Sequence, residues 1–584
     1  MSNRTIPILL LIDGFACAVV AIFAHALGLD PTDAWGRSRL LLLVVGVVLV
    51  CGSLYLIGRG QARIDAENTE RIQENSAPVR VHPRSILEKL NSIFESENAK
   101  TVFSLAHIWV IIFAIYIWFI TFGNFTTWTH TSHYYTRLAD AFAQGHLYVD
   151  LDPGPLLEAA DPYDPKGRAP FQDEIWDMSY YNGKLYFYWG PAPSLLITPV
   201  QMLTGKKISD SQLVFFFFAA LLIVNSLIIL KLWRRFFPSL PAWNIFASIA
   251  LIGLILPILW ETGVPYVYEV AVGAGQFFLM GGIYFALSAL AREEAISGRD
   301  LSLAGLFWAA SVGSRALNVF SVIFLALLAS ARIIQSLPKP LDWKKLIRLG
   351  AALFVPLGIG AIVIAWYNWA RFDSPFEFGL RYQVTTYNLN KLWNLTFQLE
   401  YFPTNFYVYF LQPFGLIPKF PFLQPVSLAS LWNQQGVTAP HLYYAGRLTG
   451  ILFSAPFLLL GLVPLLSKRE AAQTLRWNEA RSIQWVILIL AGSTIIEFLT
   501  ILFYFNAQVR FLVDLISQVT LLAVLGYWQL TMSARSRIWV TLANLLLGFT
   551  VVASFLLSLS SETSRFETLN PLLFETINRI LGLR

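Results

Sequence analysis

Apolar runs of about 20 residues recur along this chain of 584 residues, and they restrict its fold more than any other feature. A helix of about 20 apolar residues is long enough to cross the hydrocarbon core of a bilayer. Only 13% of the residues are charged, whereas a typical soluble domain carries about 25%. The sequence therefore predicts an all-α fold, that of a polytopic helical membrane protein.

About 13 runs are long enough to be transmembrane helices. The runs 301–315 and 317–334 are short and adjacent, which predicts a tight helical hairpin that turns near Arg315. The predicted spans are 6–29, 39–58, 104–123, 212–232, 241–260, 270–290, 301–315, 317–334, 348–368, 446–466, 483–504, 511–530 and 537–559.

Lysine and arginine are unevenly distributed among the short loops. With a cytoplasmic N-terminus, five short cytoplasmic connections carry 16 basic residues, and the short outside connections carry only Arg37, Arg39, Arg315 and Arg510. Basic loops favour the cytoplasmic side, so we expect this orientation in a cell (inner) membrane. If the apolar run 186–205 crossed the membrane, the basic loop that follows would lie outside. This run is therefore predicted to be an amphipathic or re-entrant segment at the outer surface.

The first long outside loop, 124–211, contains ten of the 36 acidic residues. Residues 133–146 have the pattern of a helix, on which His133, Arg137 and Asp140 share one face at i, i+4 and i+7. Asp140 would then be a carboxylate just outside the bilayer, in a position to accept a proton from a bound hydroxyl group.

Each of these acids also has a simpler structural interpretation. Asp140 follows Arg137 by three residues, a spacing typical of a solvated ion pair. Asp177 precedes the Asn182–Gly183 turn, and the other loop acids lie beside Pro or Gly in turns that Asp commonly stabilises. EF-hand spacing is absent. No cofactor is expected, and a divalent metal is possible but not indicated.

Basic residues on the outside suggest a site for an anion. An arginine that faces a cavity at the membrane surface can bind a phosphate through two parallel hydrogen bonds. For Arg510 the alternative is an ion pair with Asp514, four residues later. The basic residues predicted in outside loops or near outer helix ends are Lys184, Arg315, Arg381, Arg447 and Arg510.

Several other protein classes are disfavoured. The net charge of +6 is explained by basic cytoplasmic loops, so no nucleic-acid partner is predicted. The sequence contains no GxxxxGK[ST] loop for ATP and no HExxH, CxxC or GxSxG motif. Cys17 and Cys51 both lie in apolar runs, which argues against a disulfide framework.

A long first outside loop, a surface helix with an acid, a Pro-led apolar segment and a helix with a basic end follow one another in this chain. This layout resembles a bacterial branch of the GT-C superfamily, membrane glycosyltransferases that use polyprenyl-phosphate sugars. The stretches that carry the resemblance are YYTRLADAFAQGHLY, YNGKLYFYWGPAPSLLITPVQMLTG, LAGLFWAASVGSRALNVFSV, WYNWARFDSPFEFGLRYQ and QVRFLVDLISQVTLLAVLG.

The resemblance covers about residues 104–559 and implies a domain organisation. Its core would include a second outside loop, 369–445, after the first. The implied parts are an added transmembrane hairpin (1–58), a cytoplasmic linker (59–103), a GT-C-like core (104–559) and an extracytoplasmic tail (560–584).

The resemblance implies transfer of a sugar from a polyprenyl-phosphate donor to a lipid, glycan or protein acceptor outside the cytoplasm, at a site in contact with membrane lipids. Many relatives carry an acidic pair directly after the first core helix, where this chain has TSHY at 131–134. The role of catalytic base therefore falls to Asp140, falls to another acid such as Asp177, or is absent.

Substrate binding would involve the basic and aromatic residues near these acids. Arg510, with Arg315 or Lys184, would stabilise the leaving phosphate as its negative charge grows. His133 and Tyr134 would orient the donor or the acceptor. The candidate substrate-binding residues are His133, Tyr134, Arg137, Lys184, Arg315, Arg381 and Arg510.

Two other functions are compatible with the sequence. One is a lipid-linked glycan flippase or another secondary transporter, although internal repeats and mid-bilayer sites, common in transporters, are not evident. The other is a non-catalytic membrane scaffold derived from such enzymes, which the missing acidic pair would explain.

Overall fold

The structure, a computed structural model, describes most of the chain. It contains two compact units, one of residues 1–127 with 567–584 and one of residues 128–566. The linker predicted over 59–103 lies outside the described residues as far as residue 96. The described residues are 5–24, 36, 39–50, 52–53, 97–126, 128, 132–290, 296–428, 440, 442–466, 477–533, 537–561 and 564–583.

Helices dominate both units, and the strands are short. The helices are α1 (Thr5–Phe23), α2 (Arg39–Val50), α3 (Glu97–Ile120), α4 (Tyr134–Ala143), α5 (Ala192–Thr204), α6 (Asp210–Phe236), α7 (Ala242–Leu254), α8 (Leu256–Thr262), α9 (Val267–Leu290), α10 (Gly298–Ser314), α11 (Val319–Ser336), α12 (Trp343–Phe372), α13 (Leu389–Leu392), α14 (Phe402–Phe406), α15 (Ile451–Ser454), α16 (Val463–Leu466), α17 (Trp477–Leu502), α18 (Val513–Met532), α19 (Arg537–Ser560), α20 (Arg565–Leu569) and α21 (Pro571–Ile580). The strands are β1 (Ser179–Tyr181), β2 (Lys184–Tyr186), β3 (Gly415–Leu416), β4 (Leu423–Gln424), β5 (Val426–Ser427), β6 (Tyr444–Ala445), β7 (Arg447–Leu448) and β8 (Asn506–Ala507).

In the first unit, side chains bond to carbonyl groups near the ends of α1 and α3. Arg39 Nε donates a hydrogen bond to Ala21 O at 3.0 Å. Asn570 Nδ2, just before α21, donates one to Phe122 O at 2.8 Å. The last carbonyl groups of a helix have no partner within it, so these bonds stabilise the helix ends.

The all-α polytopic membrane fold is confirmed. Among the described residues, eight helices are long and apolar enough to cross a membrane, and α7 with α8, bent by 49°, makes a ninth if the pair is one span. The predicted number was about 13. The predicted number exceeds the observed one for two reasons. α10, with 17 residues, is too short to be counted as a span, and the runs 6–29 and 39–58 extend into residues that are not described.

The run 446–466 does not form the single spanning helix that its hydropathy predicts. It begins in β7 and continues through α15, a 3₁₀-helix (Pro456–Leu462) and α16. Pro456 and Pro464 lack the backbone N–H that a continuous helix needs. The prediction of one helix here is therefore wrong.

The centre of the second unit is formed by α9 and α18. In the most apolar 18-residue window of α9, 83% of the residues are buried inside the protein, and in that of the helix containing α18 the share is 89%. In α12 the corresponding share is only 11%. Side chains on α9 and α18 therefore face protein, whereas most of α12 faces outward into the expected lipid.

The predicted hairpin between α10 and α11 is present, and it turns at Arg315. It lies very close to the segment that leads into α5. A Cβ atom at Gly190 would be 2.1 Å from Gly313 O. Only glycine at position 190 permits this approach, which places Trp189 beside the hairpin.

The segment 186–205 contains α5, whose 13 residues are too few to span a bilayer. One face is apolar and exposed, with Leu195 at 51% and Leu203 at 86% exposure. On the other face the Ser194 hydroxyl donates to Tyr135 O at 2.9 Å. This is the arrangement expected of an amphipathic helix at a membrane surface.

Loop 124–211, which the sequence predicts to be the first outside loop, has a small core of its own. β1 and β2 form an antiparallel hairpin through Asn182 and Gly183, which have φ of 49° and 75°, as a two-residue hairpin turn of primed type requires. The core beneath it consists of Val149, Leu156, Ile175, Met178, Tyr180, Leu185 and Val384. Val384 belongs to the second outside loop, so the two loops share this core.

Candidate functional site

Asp177 lies where the two outside loops meet. Its N–H donates to Val384 O at 3.0 Å, and Val384 N–H donates to Met178 O at 2.8 Å. Asp177 itself has φ of 62°, a left-handed conformation that Asp tolerates better than most residues. Only 8% of the residue is exposed.

The Asp177 carboxylate is bonded to the first turn of α9. The Tyr268 hydroxyl donates a hydrogen bond to Asp177 Oδ2. Burial raises the pKa of the Asp177 carboxyl above its ordinary value, while hydrogen bonds from Thr385 and Tyr268 and the charge of Arg510 act in the opposite direction. A carboxyl with a raised pKa is a stronger base when ionised, which suits a proton acceptor.

Arg510 approaches the same tyrosine from the 3₁₀-helix (Val509–Leu512) that directly precedes α18. Its guanidinium carbon lies 4.2 Å from the centre of the Tyr268 ring. Nη1 lies 3.9 Å from Glu269 Oε1, which is too long for a hydrogen bond. Parallel pairing of β6 with β8 holds the chain just before Arg510. Tyr268 thus contacts the acid with its hydroxyl and the arginine with its ring face.

A cavity of about 350 Å³ opens beside Arg510. Arg565 Cζ lies 4.7 Å from the centre of the Tyr266 ring on its wall. The volume is at the lower end of the range for small-molecule sites, about 300–1,000 Å³. The cavity is lined by Trp260, Glu261, Val264, Tyr266, Glu269, Gln508, Val509, Arg510, Ser561 and Arg565.

Tyr134 belongs to the surroundings of Asp177 through a series of aromatic rings. Its ring centre is 5.6 Å from that of Trp189, and Trp189 is 5.3 Å from Tyr268. Its hydroxyl donates to Trp176 O at 3.2 Å. Burial raises the pKa of Tyr134 to about 12, so the hydroxyl stays protonated at neutral pH.

The predicted loop helix is present as α4, and a buried aspartate from another helix caps it. Asp210 accepts hydrogen bonds from the N–H groups of Tyr134 at 3.0 Å and Tyr135 at 3.2 Å. The Ser132 hydroxyl also donates to it at 2.6 Å. Asp210 therefore acts as an N-cap supplied from α6 and has a structural role.

Asp140 has a different environment from Asp177. Lys207 Nζ donates to its Oδ1, and Gln201 Nε2 lies 3.3 Å from the same atom. Arg137 pairs with Glu174 at 2.9 Å. The solvated ion pair expected between Arg137 and Asp140 is thus replaced by two separate pairs, and the described contacts of Asp140 join α4 to α5 and Lys207.

Arg315 and Asp514 form a buried ion pair between the helical hairpin and α18. Arg315 Nε and Nη2 bond to the carboxylate at 2.9 and 2.8 Å. The alternative pairing of Asp514 with Arg510 is not the one adopted. Glu497 is 1% exposed and interacts electrostatically with both Asp514 and Arg315.

Three other predicted site residues lie apart from Asp177 in their described contacts. Lys184 Nζ lies 4.4 Å from the centre of the Tyr148 ring. Arg381 Nε lies 4.0 Å from Glu377. His133 precedes α4 and is exposed.

Several loop acids form the turns that the sequence predicts. Asp152 Oδ1 accepts from Gly154 N at 3.0 Å, and Asp161 Oδ1 accepts from Tyr163 N at 3.1 Å. Within the described part of the chain, no group of three or more His, Cys, Asp or Glu side chains could hold a metal ion.

Sequence reasoning missed Tyr268, Glu269 and Thr385. Tyr268 and Glu269 lie at the start of an apolar run, where a tyrosine is usually an interfacial anchor. One signal was available, because Glu269 is an acid directly before the predicted span 270–290. Thr385 gives no such signal, because only the pairing of Val384 with Met178 brings it to Asp177.

No family model matches the sequence, and no curated protein matches it. Among solved structures, the chain is similar to the Archaeoglobus fulgidus oligosaccharyltransferase in its apo form, with 13% identity, a TM-score of 0.42 and coverage of 80% of this chain and 55% of that one. It is also similar to AglB of that organism in complex with an inhibitory peptide and a dolichol-phosphate. Here the identity is 13%, the TM-score is 0.44, and the match covers 79% of this chain and 56% of that one. The chain spans about half the length of these proteins.

Proposed function

We propose that the protein is a membrane glycosyltransferase that moves a sugar from a polyprenyl-phosphate donor to an extracytoplasmic acceptor. One observation carries this proposal: Tyr268 contacts both the buried Asp177 carboxylate and the Arg510 guanidinium, and Arg510 lines a cavity of about 350 Å³. A proton acceptor and an anion-binding group are the two elements that such a transfer needs.

In the proposed step, Asp177 removes the proton from the acceptor hydroxyl. The hydroxyl oxygen forms a bond to the anomeric carbon of the sugar, and the bond from that carbon to the donor phosphate oxygen breaks. The electron pair of the broken bond leaves with the polyprenyl phosphate. Arg510 stabilises the negative charge that grows on this phosphate.

Asp177 is favoured over Asp140 as the base because of its surroundings. Lys207 Nζ and Gln201 Nε2 both donate to Asp140 Oδ1, so this oxygen is already bonded to donors of the protein. Asp177 is more deeply buried and interacts electrostatically with Arg510. Asp140 stays a prediction, and the experiment below includes it.

Arg510 is suited to a phosphate because its contact with Glu269 is long. At 3.9 Å the carboxylate reduces the local charge without a close ion pair, so a phosphate oxygen can compete for the guanidinium N–H groups. Arg565 lines the same cavity. His133, Arg137, Lys184, Arg315 and Arg381 are weaker proposals, since their described contacts lie elsewhere.

Transfer from a radiolabelled polyprenyl-phosphate sugar, measured in membranes that contain the protein, tests this function. We expect D177N to slow transfer by about 10²–10⁴-fold, because an amide cannot accept the proton. The matched control is D150N, which alters an exposed aspartate of the same loop. Equal transfer by D177N and the unaltered protein would remove Asp177 from the mechanism. No transfer with any of several donors would contradict the proposal and favour a scaffold.

A second candidate, a flippase for lipid-linked glycans, is favoured by one observation. Arg315, Asp514 and Glu497 place three ionisable side chains in or beside the helix bundle, and buried charges within transmembrane bundles often mark transport pathways. In proteoliposomes, a flippase would translocate the lipid-linked sugar without cleaving it. D514N would then reduce translocation, whereas D177N would not.

A further inference from the structure

Two tyrosines lie close to both Asp177 and Arg510, and the proposed proton transfer uses neither of them. Tyr188 interacts electrostatically with Asp177 and with Arg510, and Tyr504 does the same. The two tyrosines also interact with each other. Their hydroxyl groups therefore share the surroundings of the acid and the arginine.

Ring contacts place Tyr188 beside the residues that hold Asp177. Its ring centre lies 4.2 Å from that of Trp189, and the Trp189 ring centre lies 5.3 Å from that of Tyr268. The Tyr268 hydroxyl bonds to Asp177, and its ring contacts Arg510. Tyr188 thus belongs to the same aromatic group as the residue that joins the acid to the arginine.

Tyr504 approaches from the chain segment just before β8. Its ring centre lies 5.6 Å from that of Phe511, and Arg510 Cζ lies 5.5 Å from the centre of the same Phe511 ring. A β-bridge with Phe397 holds its backbone. Tyr504 and Arg510 therefore contact a common ring.

The side chains of Tyr188, Tyr504 and Arg510 are hydrogen-bond donors that the protein leaves available. Within the described part of the chain, neither tyrosine hydroxyl has a hydrogen-bond partner, and the contact of Arg510 with Glu269 is long, at 3.9 Å. All three side chains belong to partly exposed residues. Burial raises the pKa of Tyr504 to about 12 and the pKa of Tyr188 above its ordinary value. Both hydroxyls therefore keep their protons at neutral pH and can donate them to an anion.

This set of donors matches a phosphate group. A guanidinium group donates two parallel hydrogen bonds to two phosphate oxygens, and the two hydroxyls remain for a third oxygen. In the proposed reaction the third oxygen is the one that leaves the sugar, and it becomes charged as its bond to the anomeric carbon breaks. Donors held in place for a developing charge stabilise the transition state.

A row of phenylalanine rings begins next to Tyr504. The ring centre of Phe503 is 5.7 Å from that of Phe402. The distance from Phe402 to Phe406 is 6.2 Å, and that from Phe406 to Phe410 is 5.4 Å. Phe406 is 37% exposed. This row offers an apolar surface that a polyprenyl chain can contact and a free phosphate ion cannot, so it favours a lipid phosphate.

We propose that Tyr188 and Tyr504 complete, with Arg510, the binding site for the phosphate group of the lipid donor. Arg510 binds two phosphate oxygens, and the two hydroxyls donate to the oxygen that leaves the sugar. This inference rests on the proposed function, because that function supplies the lipid phosphate.

Binding of farnesyl phosphate to the full chain in detergent tests this site without any transfer of sugar. Titration calorimetry compares the unaltered protein with Y188F and Y504F, and compares farnesyl phosphate with farnesol and with inorganic phosphate. We expect farnesyl phosphate to bind more tightly than either of the other two. Each variant should bind it about tenfold to a hundredfold more weakly, as is typical when one hydrogen bond to a charged group is lost.

The matched control is Y407F, which removes the hydroxyl of an exposed tyrosine in loop 369–445 and should bind farnesyl phosphate like the unaltered protein. Equal affinity in all the proteins, or equal losses in Y407F and the two variants, would overturn the proposal. Equally tight binding of inorganic phosphate would assign the site to free phosphate and overturn the lipid assignment. If Y188F does not fold, Y504F alone provides the comparison with Y407F.

The same proteins separate this inference from the proposed function. Weaker binding of farnesyl phosphate in Y188F and Y504F, in a protein that transfers no sugar from any donor, would support the phosphate site and contradict the transferase. Sugar transfer by the unaltered protein, with farnesyl phosphate binding unchanged in both variants, would support the transferase and contradict the roles of the two tyrosines.

Discussion

Asp177 and Asp140 belong to the same predicted outside loop but differ in exposure, in secondary structure and in the residues to which they bond. Asp140 lies on a surface helix, is one-third exposed and pairs with Lys207. Asp177 is almost fully buried, belongs to no helix and bonds to Tyr268 from a transmembrane span. The first would be chosen from its helical spacing, and the second only from its environment.

The comparison shows that chemistry depends on the partners of a carboxylate rather than on its local pattern. The carboxylate of Asp140 bonds to the Lys207 ammonium group and the Gln201 amide. Burial raises the pKa of Asp177, and the Tyr268 that bonds to it also contacts the Arg510 guanidinium with its ring. The spacing of residues along the chain predicts the helix that carries Asp140. The environment of Asp177 depends on contacts between residues that are far apart in the sequence.

Exchange of each aspartate for asparagine is the strongest test of the difference between Asp177 and Asp140. Loss of a general base typically costs about 10²–10⁴-fold in rate, and we expect a loss in this range for D177N. D140N should lose less than about a hundredfold, since Asp140 would act only by joining α4 to α5. Initial rates of sugar transfer at saturating donor measure both. The reverse order would make Asp140 the base.

Replacement of Arg510 tests the proposed binding of the donor phosphate. R510Q should lower the rate by about 10²–10³-fold, as is typical when one stabilising donor for a developing anion is removed. R510K keeps the charge but loses the two-pronged geometry, so it should lie between R510Q and the unaltered protein. R447Q, an exposed arginine of the outside loops, is the control. Equal effects of R510Q and R447Q would contradict a specific role.

The pH dependence of transfer distinguishes a buried base from an exposed one. Asp177 accepts a proton only when ionised, so the rate should fall as the pH decreases through its raised pKa, above the range of an ordinary aspartate. The Tyr268 hydroxyl lowers this pKa. Y268F should therefore move the acidic limb of the pH–rate profile to higher pH, by up to about one unit. If the acidic limb does not move in Y268F, the Tyr268 hydroxyl does not affect the group whose titration limits the rate.

The smallest effect is expected at the exposed pair. K207Q removes the ion pair of Asp140, and such pairs contribute only about 0.2–1 kcal/mol to the free energy of unfolding. Thermal unfolding in detergent measures this loss, and E174Q, which breaks the neighbouring pair with Arg137, should give a similar value. A loss several times larger for K207Q would mean that Asp140 is structurally more important than its exposure suggests.

Much of the fold follows from local sequence. Apolar runs predict the spans, the Asn182–Gly183 pair predicts the hairpin turn, and the break near Arg315 predicts the helical hairpin, because each depends on residues close in sequence. The site does not follow in this way. Asp177 meets Val384 and Tyr268 across about 200 and 90 residues, and no periodicity encodes such a contact. Even the run 446–466 is apolar without being one helix, because hydropathy reports burial and not backbone continuity.

The missing side chain at Gly190 has a consequence for variation of this protein. Trp189, its neighbour, is in contact with Tyr268, so a single added methyl group at position 190, only 2.1 Å from Gly313 O, would move Trp189 against Tyr268. Exchange of glycine at this position should therefore be among the least tolerated in any library of variants, although residue 190 itself takes part in no reaction step.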